Sequence, residues 1–298
     1  MDSDFNKYER AVPEKHERQR PSQRIHASTG PIPPPIVLSI AGFDPSGGAG
    51  ILADLKTFAA LQVYGMACIT ALTVQSTQGV RRVEACDPTT VRETLDCLAT
   101  DVRFHAIKLG MLGSGAVAST VADWLASQSG VPVVIDPVLQ SSSGTGLVDA
   151  AALELLRTRF LRRADWITPN LTELAELTGI ERPETPPKIR EGAEKLLEMA
   201  AAQGNSRLKI VVTGGDREQP DDLLLSWETC QWYSGAHIET NSTHGTGCTF
   251  SSALAARIAL GDQSCEAVEA AKRYVAGALR SAYPIGHGKG PLNHFWNK

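Results

Sequence analysis

The chain has 298 residues, 42% of them hydrophobic, and a formal net charge of −4. No apolar run approaches the roughly 18 residues that a membrane span needs, and the 29 basic residues are spread along the chain rather than gathered into a stripe, which argues against a membrane or nucleic acid as main partner. The six cysteines (68, 86, 97, 230, 248 and 265) form no CxxC pair and no zinc-like spacing with histidine, so the composition predicts a reducing, cytoplasmic protein with free thiols.

In chain order, residues 1–35 come first and differ from the rest. Met1 to Thr29 mixes charges of both signs with few large apolar residues, and Gly-Pro-Ile-Pro-Pro-Pro then closes the segment. This composition predicts a disordered extension and a stiff linker. It has no apolar core for a secretory signal, and its Asp2, Asp4, Glu9, Glu14 and Glu17 count against an organelle transit peptide.

From Ile36 to the C-terminus the pattern predicts one α/β domain, 36–298. Strand candidates are IVLSIA (36–41), MACITALTV (66–74), AIKLGM (106–111), PVVID (132–136), WIT (166–168) and KIVVT (209–213). Between them, 48–62, 88–100, 114–128, 149–160 and 170–203 read as helices, the last broken by prolines. Apolar strands separated by helices predict a mostly parallel sheet covered on both faces, a three-layer α/β/α arrangement. DLLLSW and CQWYSGAHIET, within 222–241, read instead as small antiparallel strands at one edge.

Ligands of such sheets gather where strands end and helices begin. The first strand ends in AGFDPSGGAG, Ala41 to Gly50, which is neither a Walker A loop nor a GxGxxG dinucleotide fingerprint. A second glycine turn, Gly245-Thr246-Gly247, precedes a helix starting at about Gly247, with Phe250, Leu254 and Ile258 on one face. The first amides of that helix have no partners within it, so they form an anion pocket favoured by the helix dipole. Cys248 sits at that pocket. A helix N-terminus lowers a thiol's pKa, but the dipole contributes only about 0.3–1 kcal/mol, less than one pKa unit. Unless another cation helps, the thiol stays protonated near pH 7 and suits proton transfer better than nucleophilic attack.

Six motifs, AGFDPSGGAG, TALTVQSTQGV, KLGML, IDPVLQSSSG, TPNLTE and HGTGCTFS, occur together with a closing GHGKGPLNHFW. In order and spacing they resemble the hydroxymethylpyrimidine kinase / hydroxymethylpyrimidine phosphate kinase family of thiamine biosynthesis, within the ribokinase-like superfamily. The likeness runs from about Ile36 to the C-terminus. It implies ATP- and Mg2+-dependent phosphorylation of 4-amino-5-hydroxymethyl-2-methylpyrimidine and then of its monophosphate, by a homodimer. By the same resemblance, Cys248 handles the substrate proton beside an anion hole from Gly245 and Gly247. Asn170 and Glu173 of N-x-x-E hold Mg2+ through water, with Asp136 as a second carboxylate.

Gln75 corresponds to the glutamine that reads the pyrimidine. An amide offers an acceptor beside a donor, complementary to a ring nitrogen next to an exocyclic amine. By the same resemblance, Met111 matches a position that packs on the ring, and Gly42 and Asp44 are expected to line the same pocket. The chain departs from many relatives in having Thr213 where a lysine meets ATP phosphates. Two other readings stay open: a pyridoxal or pyridoxine kinase on the same scaffold, and a non-catalytic pyrimidine-binding regulator.

Overall fold

Alternate side chains of the central strands point to opposite faces, and that alternation builds two separate cores. In β1 (Ile36–Phe43), Leu38 and Ile40 join one core while Val37 joins the other; in β5 (Val133–Ile135), Val133 and Ile135 part from Val134 in the same way. The computed structural model describes residues 32–140, 149–215 and 217–298. Residues 1–31 of the extension assigned to 1–35, the end of IDPVLQSSSG and Asp216 therefore lie outside the described residues, and Pro34–Lys298 forms one compact unit.

The remaining strands are β2 (Tyr64–Ser76), β3 (Gly79–Ala85), β4 (Ala106–Leu109), β6 (Trp166–Ile167), β7 (Lys209–Val212), β8 (Asp222–Leu225) and β9 (Cys230–Tyr233). With β1 and β5 they make one sheet in the order β3-β2-β1-β4-β5-β6-β7-β8-β9. The run from β2 to β7 is parallel, and β3, β8 and β9 are antiparallel additions. On one face pack α2 (Pro88–Asp101), α3 (Gly115–Leu125), α4 (Ala150–Leu155), α5 (Leu161–Arg163), α6 (Leu171–Thr178) and α7 (Pro186–Ala202). The other face is covered by α1 (Gly50–Ala60), α8 (Thr246–Ala259) and α9 (Ser264–Arg280). This is the three-layer architecture expected from the sequence.

Two elements escaped the periodicity. β3, GVRRVEA, carries exposed Arg81, Arg82 and Glu84 and lacks a clean apolar alternation. The stretch 149–160 does not end as a regular helix but continues through a wide turn at Leu156–Phe160 into α5.

The chain leaves β1 toward β2 and β3 on one side and returns to β4 on the other. That reversal opens a crevice at the C-terminal ends of β1 and β4, the place where open α/β sheets hold ligands.

Candidate active site

A cleft of about 660 Å³ occupies this crevice and extends across the ends of β5 and β6. Gly42, Asp44, Gln75 and Met111 line it, as do Asp136, Asn170 and Glu173, and Gly245, Gly247 and Cys248. The sequence stretches that supply these residues lie up to about two hundred positions apart, and the sheet brings them to one hollow.

The turn before α8 forms as its glycines demand. Gly245 has φ +84°, and a Cβ there would lie 1.8 Å from the Gly48 carbonyl oxygen, so two loops meet with no room for a side chain. A Cβ on Gly247 would meet only Asp136, at 3.9 Å. Helix α8 starts at Thr246, and the first helical bond runs from Thr249 N to Gly245 O at 2.8 Å. Among the described residues no acceptor meets the amides of Gly247 and Cys248. They are the orphan donors of a helix start, facing a cleft.

Beneath them lies a buried ion pair. Lys108, on β4, and Asp54, on α1, are both 0% exposed, with Nζ 3.0 Å from each carboxylate oxygen. Ser39 and Ser252 donate to the same carboxylate at 2.5 and 2.6 Å, and Asp136 lies 4.0 Å from Nζ. Burial alone would lower the lysine's pKa, but Asp54, Cys248 and Asp136 outweigh it and hold the ammonium charged. Lys108 is thus the extra cation that the helix dipole needed, yet it does not win. Although Cys248 keeps some surface on the cleft, burial pushes its thiol up to about 12, against the pull of Lys108. The thiol is protonated at neutral pH, and it lies in the electrostatic reach of Asp136 and Lys108.

Asn170 and Glu173 are arranged differently from two residues on one helical face. Asn170 is the N-cap of α6: its side chain accepts from Glu173 N at 2.9 Å, and Glu173 Oε2 accepts from Asn170 N at 2.8 Å. The motif is a reciprocal capping box. It fixes a Glu173 carboxylate that is 8% exposed and whose pKa is raised well above the ordinary range by burial and by Asp136. Burial also raises Asp136, despite Lys108 and a 3.0 Å bond from Ser251.

At the far end, Asp44 accepts from Ser46 N, Ser46 Oγ, Ala49 N and His244 Nε2, at 2.8, 2.9, 2.9 and 2.7 Å. Burial would raise its pKa, but the bonds from His244 and Ser46 outweigh burial and leave it lowered. Gln75 lies beside His244. Met111 closes over Gly42, where a Cβ would come within 2.4 Å of its terminal methyl.

The profile of the phosphomethylpyrimidine kinase family matches residues 44–293. The chain belongs to this family. It is 40% identical over 270 residues to the hydroxymethylpyrimidine/phosphomethylpyrimidine kinase of Streptomyces coelicolor, covering 91% of this chain and 98% of that one. It is also 38% identical over 266 residues to the thiamine biosynthesis bifunctional protein ThiED of Geobacter sulfurreducens, covering 89% of this chain and 53% of that larger protein. Among solved structures, the ADP complex of Bacillus subtilis pyridoxal kinase superposes with a TM-score of 0.78 at 33% identity, over 88% of this chain and 97% of that one. The fold is therefore ribokinase-like.

Within this family's cleft lie three residues to which the sequence assigns no role. Lys108 carried a signal, a charge inside an otherwise apolar strand. His244 and Lys272 carried none. Lys272, on α9, lines the cleft end that also holds Thr213, anchored by Asp222 at 2.8 Å and the Pro220 carbonyl at 2.6 Å.

Proposed function

We propose that this protein phosphorylates 4-amino-5-hydroxymethyl-2-methylpyrimidine, and then its monophosphate, with ATP as donor, in thiamine biosynthesis. The observation that carries the reading is the pair of unmet amides at Gly247 and Cys248, set in one cleft with Gln75, Met111 and the acidic residues. Phosphoryl transfer asks a protein mainly for positioning and for stabilisation of charge on the moving group, and unmet helix-start amides meet that need.

The buried thiol gives Cys248 a definite task. A protonated thiol cannot take the substrate's hydroxyl proton unless it gives up its own, and its acidic neighbour is Asp136, a carboxylate already drawn toward protonation by burial. Cys248 passes its proton to Asp136 as it receives one from the hydroxymethyl oxygen. Lys108 keeps the negative charge of this arrangement tolerable at each stage.

Mg2+ fits the acidic end. Glu173 is a buried carboxylate raised by a second one, Asp136, which is the charge imbalance a divalent cation relieves. Glu173, oriented by Asn170, would hold the ion through water, with Asp136 alongside. When bound, it neutralises phosphate charge. Lys272 and Lys289 line the nucleotide end in place of the lysine absent at Thr213.

The second reading, pyridoxal kinase, draws on the likeness to the Bacillus subtilis enzyme. One assay separates the two: ADP release with hydroxymethylpyrimidine, its monophosphate and pyridoxal as acceptors. We expect kcat/KM to be highest on the pyrimidines; a preference for pyridoxal reverses the assignment, and no turnover on any of them leaves a binding protein.

We further infer a homodimer, since Ile69, Leu72 and Val74 of β2 are exposed on the outer face of the sheet edge. Six free cysteines suit a reducing cytoplasm, and among the described residues no helix is long and apolar enough to cross a membrane. Residues 1–35 are read as an extension to the kinase domain at 36–298, and a chain begun at Pro34 should keep its rate.

A further inference from the structure

Gln75 ends β2 with its amide between two neighbours that constrain it. On one side Thr73 Oγ1 lies 3.1 Å from the amide atom Oε1 and 3.0 Å from the Phe43 carbonyl oxygen. On the other, His244 Nε2 lies 3.1 Å from Gln75 Nε2 and 2.7 Å from Asp44 Oδ2. Thr73 and Gln75 are two apart on the strand and share a face, with Val74 turned outward.

The donors and acceptors can be counted. A backbone carbonyl and an ionised carboxylate only accept. The Phe43 carbonyl therefore takes the single proton of the Thr73 hydroxyl, which leaves Thr73 an acceptor toward Gln75. Asp44 takes the proton on His244 Nε2, so His244 presents an N–H whether or not Nδ1 is also protonated. An amide with its oxygen toward Thr73 and its nitrogen toward His244 opposes lone pair to lone pair and N–H to N–H. A half-turn of the amide, which exchanges two atoms of nearly equal size, resolves both conflicts at once. Its nitrogen then donates to Thr73, and its oxygen faces the His244 N–H.

We propose that Thr73 and His244 hold the Gln75 amide with its oxygen on the His244 side, and thereby decide which way round an aminopyrimidine lies in the cleft. The inference rests on the pyrimidine kinase reading and deepens it. In 4-amino-5-hydroxymethyl-2-methylpyrimidine the edge runs in a fixed order: ring nitrogen, then amine, then the carbon bearing the hydroxymethyl group. The amine must face the amide oxygen and the ring nitrogen must face the amide N–H. With the oxygen toward His244, the amine lies on that side and the hydroxymethyl group lies beyond it, toward Gly245 and the start of α8. With the amide reversed the ring turns over, and the hydroxymethyl group is carried to the Thr73 side, away from His244 and Gly245. Thr73 and His244 are positioning residues, acting through Gln75.

The test is a double-mutant cycle on kcat/KM for hydroxymethylpyrimidine. Thr73→Val removes the acceptor while keeping the shape and the β-branch that suits a strand. We expect it to lower kcat/KM about three- to tenfold, the range for one net hydrogen bond, with KM for ATP unchanged. Thr73→Ser should restore most of the loss. Gln75→Leu should lose more than Thr73→Val, and the double variant should be no worse than Gln75→Leu alone. A substrate lacking the 4-amine should be indifferent to Thr73→Val. Multiplying losses in the double variant, or a Thr73→Val enzyme that matches wild type on hydroxymethylpyrimidine, overturns the proposal while leaving the kinase reading intact. A wild-type enzyme inactive on hydroxymethylpyrimidine, or unaffected by Gln75→Leu, removes the reading itself and the proposal with it. If Thr73→Val fails to fold, as read by circular dichroism, Thr73→Ala carries the same cycle.

Discussion

The cleft has two acidic ends, and they are built in opposite ways. Asp44 has protein donors on both carboxylate oxygens and a pKa below the ordinary range. Asp136 and Glu173, at the other end, are buried against each other, and both are raised. Asp44 belongs to the framework: it pins the glycine loop and orients His244. The Asp136–Glu173 pair is the reverse, a concentration of charge that the protein around it only partly offsets. Such unrelieved charge, kept at a cost in stability, marks chemistry better than acidity alone.

The largest effect should come from the proton path at the unrelieved end. Cys248→Ala is expected to lower kcat about 10²–10⁴-fold, the usual contribution of a positioned acid or base, with KM for ATP near wild type and an unchanged circular dichroism spectrum. Cys248→Ser, which keeps a donor to Asp136, should lie between. A Cys248→Ala enzyme at full rate would reduce the thiol to packing and erase the contrast between the two ends.

Next comes the cation that the acidic end depends on. Lys108→Met strands Asp54 in a fully buried position, and breaking one half of a buried pair costs about 3–5 kcal/mol. For a domain of this size that is a fall in Tm of roughly 6–20 °C in thermal denaturation. Adding Asp54→Leu should recover most of it, because an apolar pair in place of a buried ion pair is often neutral. An unchanged Tm in Lys108→Met would mean that water reaches the pair.

Local signals made much of this legible in the sequence. Strand–helix alternation foretold the layers, and Gly245 marked a helix start because a left-handed cap needs glycine. Asn170 and Glu173 stood out, but their spacing is as much the signature of a capping box as of a metal site, and only the fold shows it to be a cap on a buried carboxylate. The Lys108–Asp54 pair spans 54 positions, and nothing in helix α1 announces which charge in a distant strand its aspartate will meet. The thiol reads as protonated from the sequence and is protonated in the structure, but the burial that pushes its pKa up to about 12 is a property of the packed fold that the local helix start does not announce.

The smallest expected effect is the sharpest test of the comparison, because the two ends should answer with opposite signs. Asp44 has a lowered folded pKa, so its stabilisation is present above the ordinary carboxylate value and is lost as pH falls through the folded one. Glu173 has a raised folded pKa, so its stabilisation is present below about 4.5, the ordinary value, and is lost as pH rises through the folded one. At pH 7 and without divalent cation, the Glu173 charge therefore works against folding. Glu173→Gln keeps an oxygen to accept from Asn170 N, removes the repulsion with Asp136, and should raise Tm by a few degrees, corresponding to about 0.5–2 kcal/mol. It should also lower kcat and weaken the response of the rate to Mg2+. Asp44→Asn turns one acceptor into a donor among Ser46, Ala49 and His244, and should lower Tm by a similar amount, about 1–3 kcal/mol for a mismatched buried polar group. Differential scanning calorimetry at pH 7 in chelator reads both signs in one experiment. A Glu173→Gln enzyme that is less stable than wild type would mean that its carboxylate is held by the capping box as framework, just as Asp44 is held by its loop.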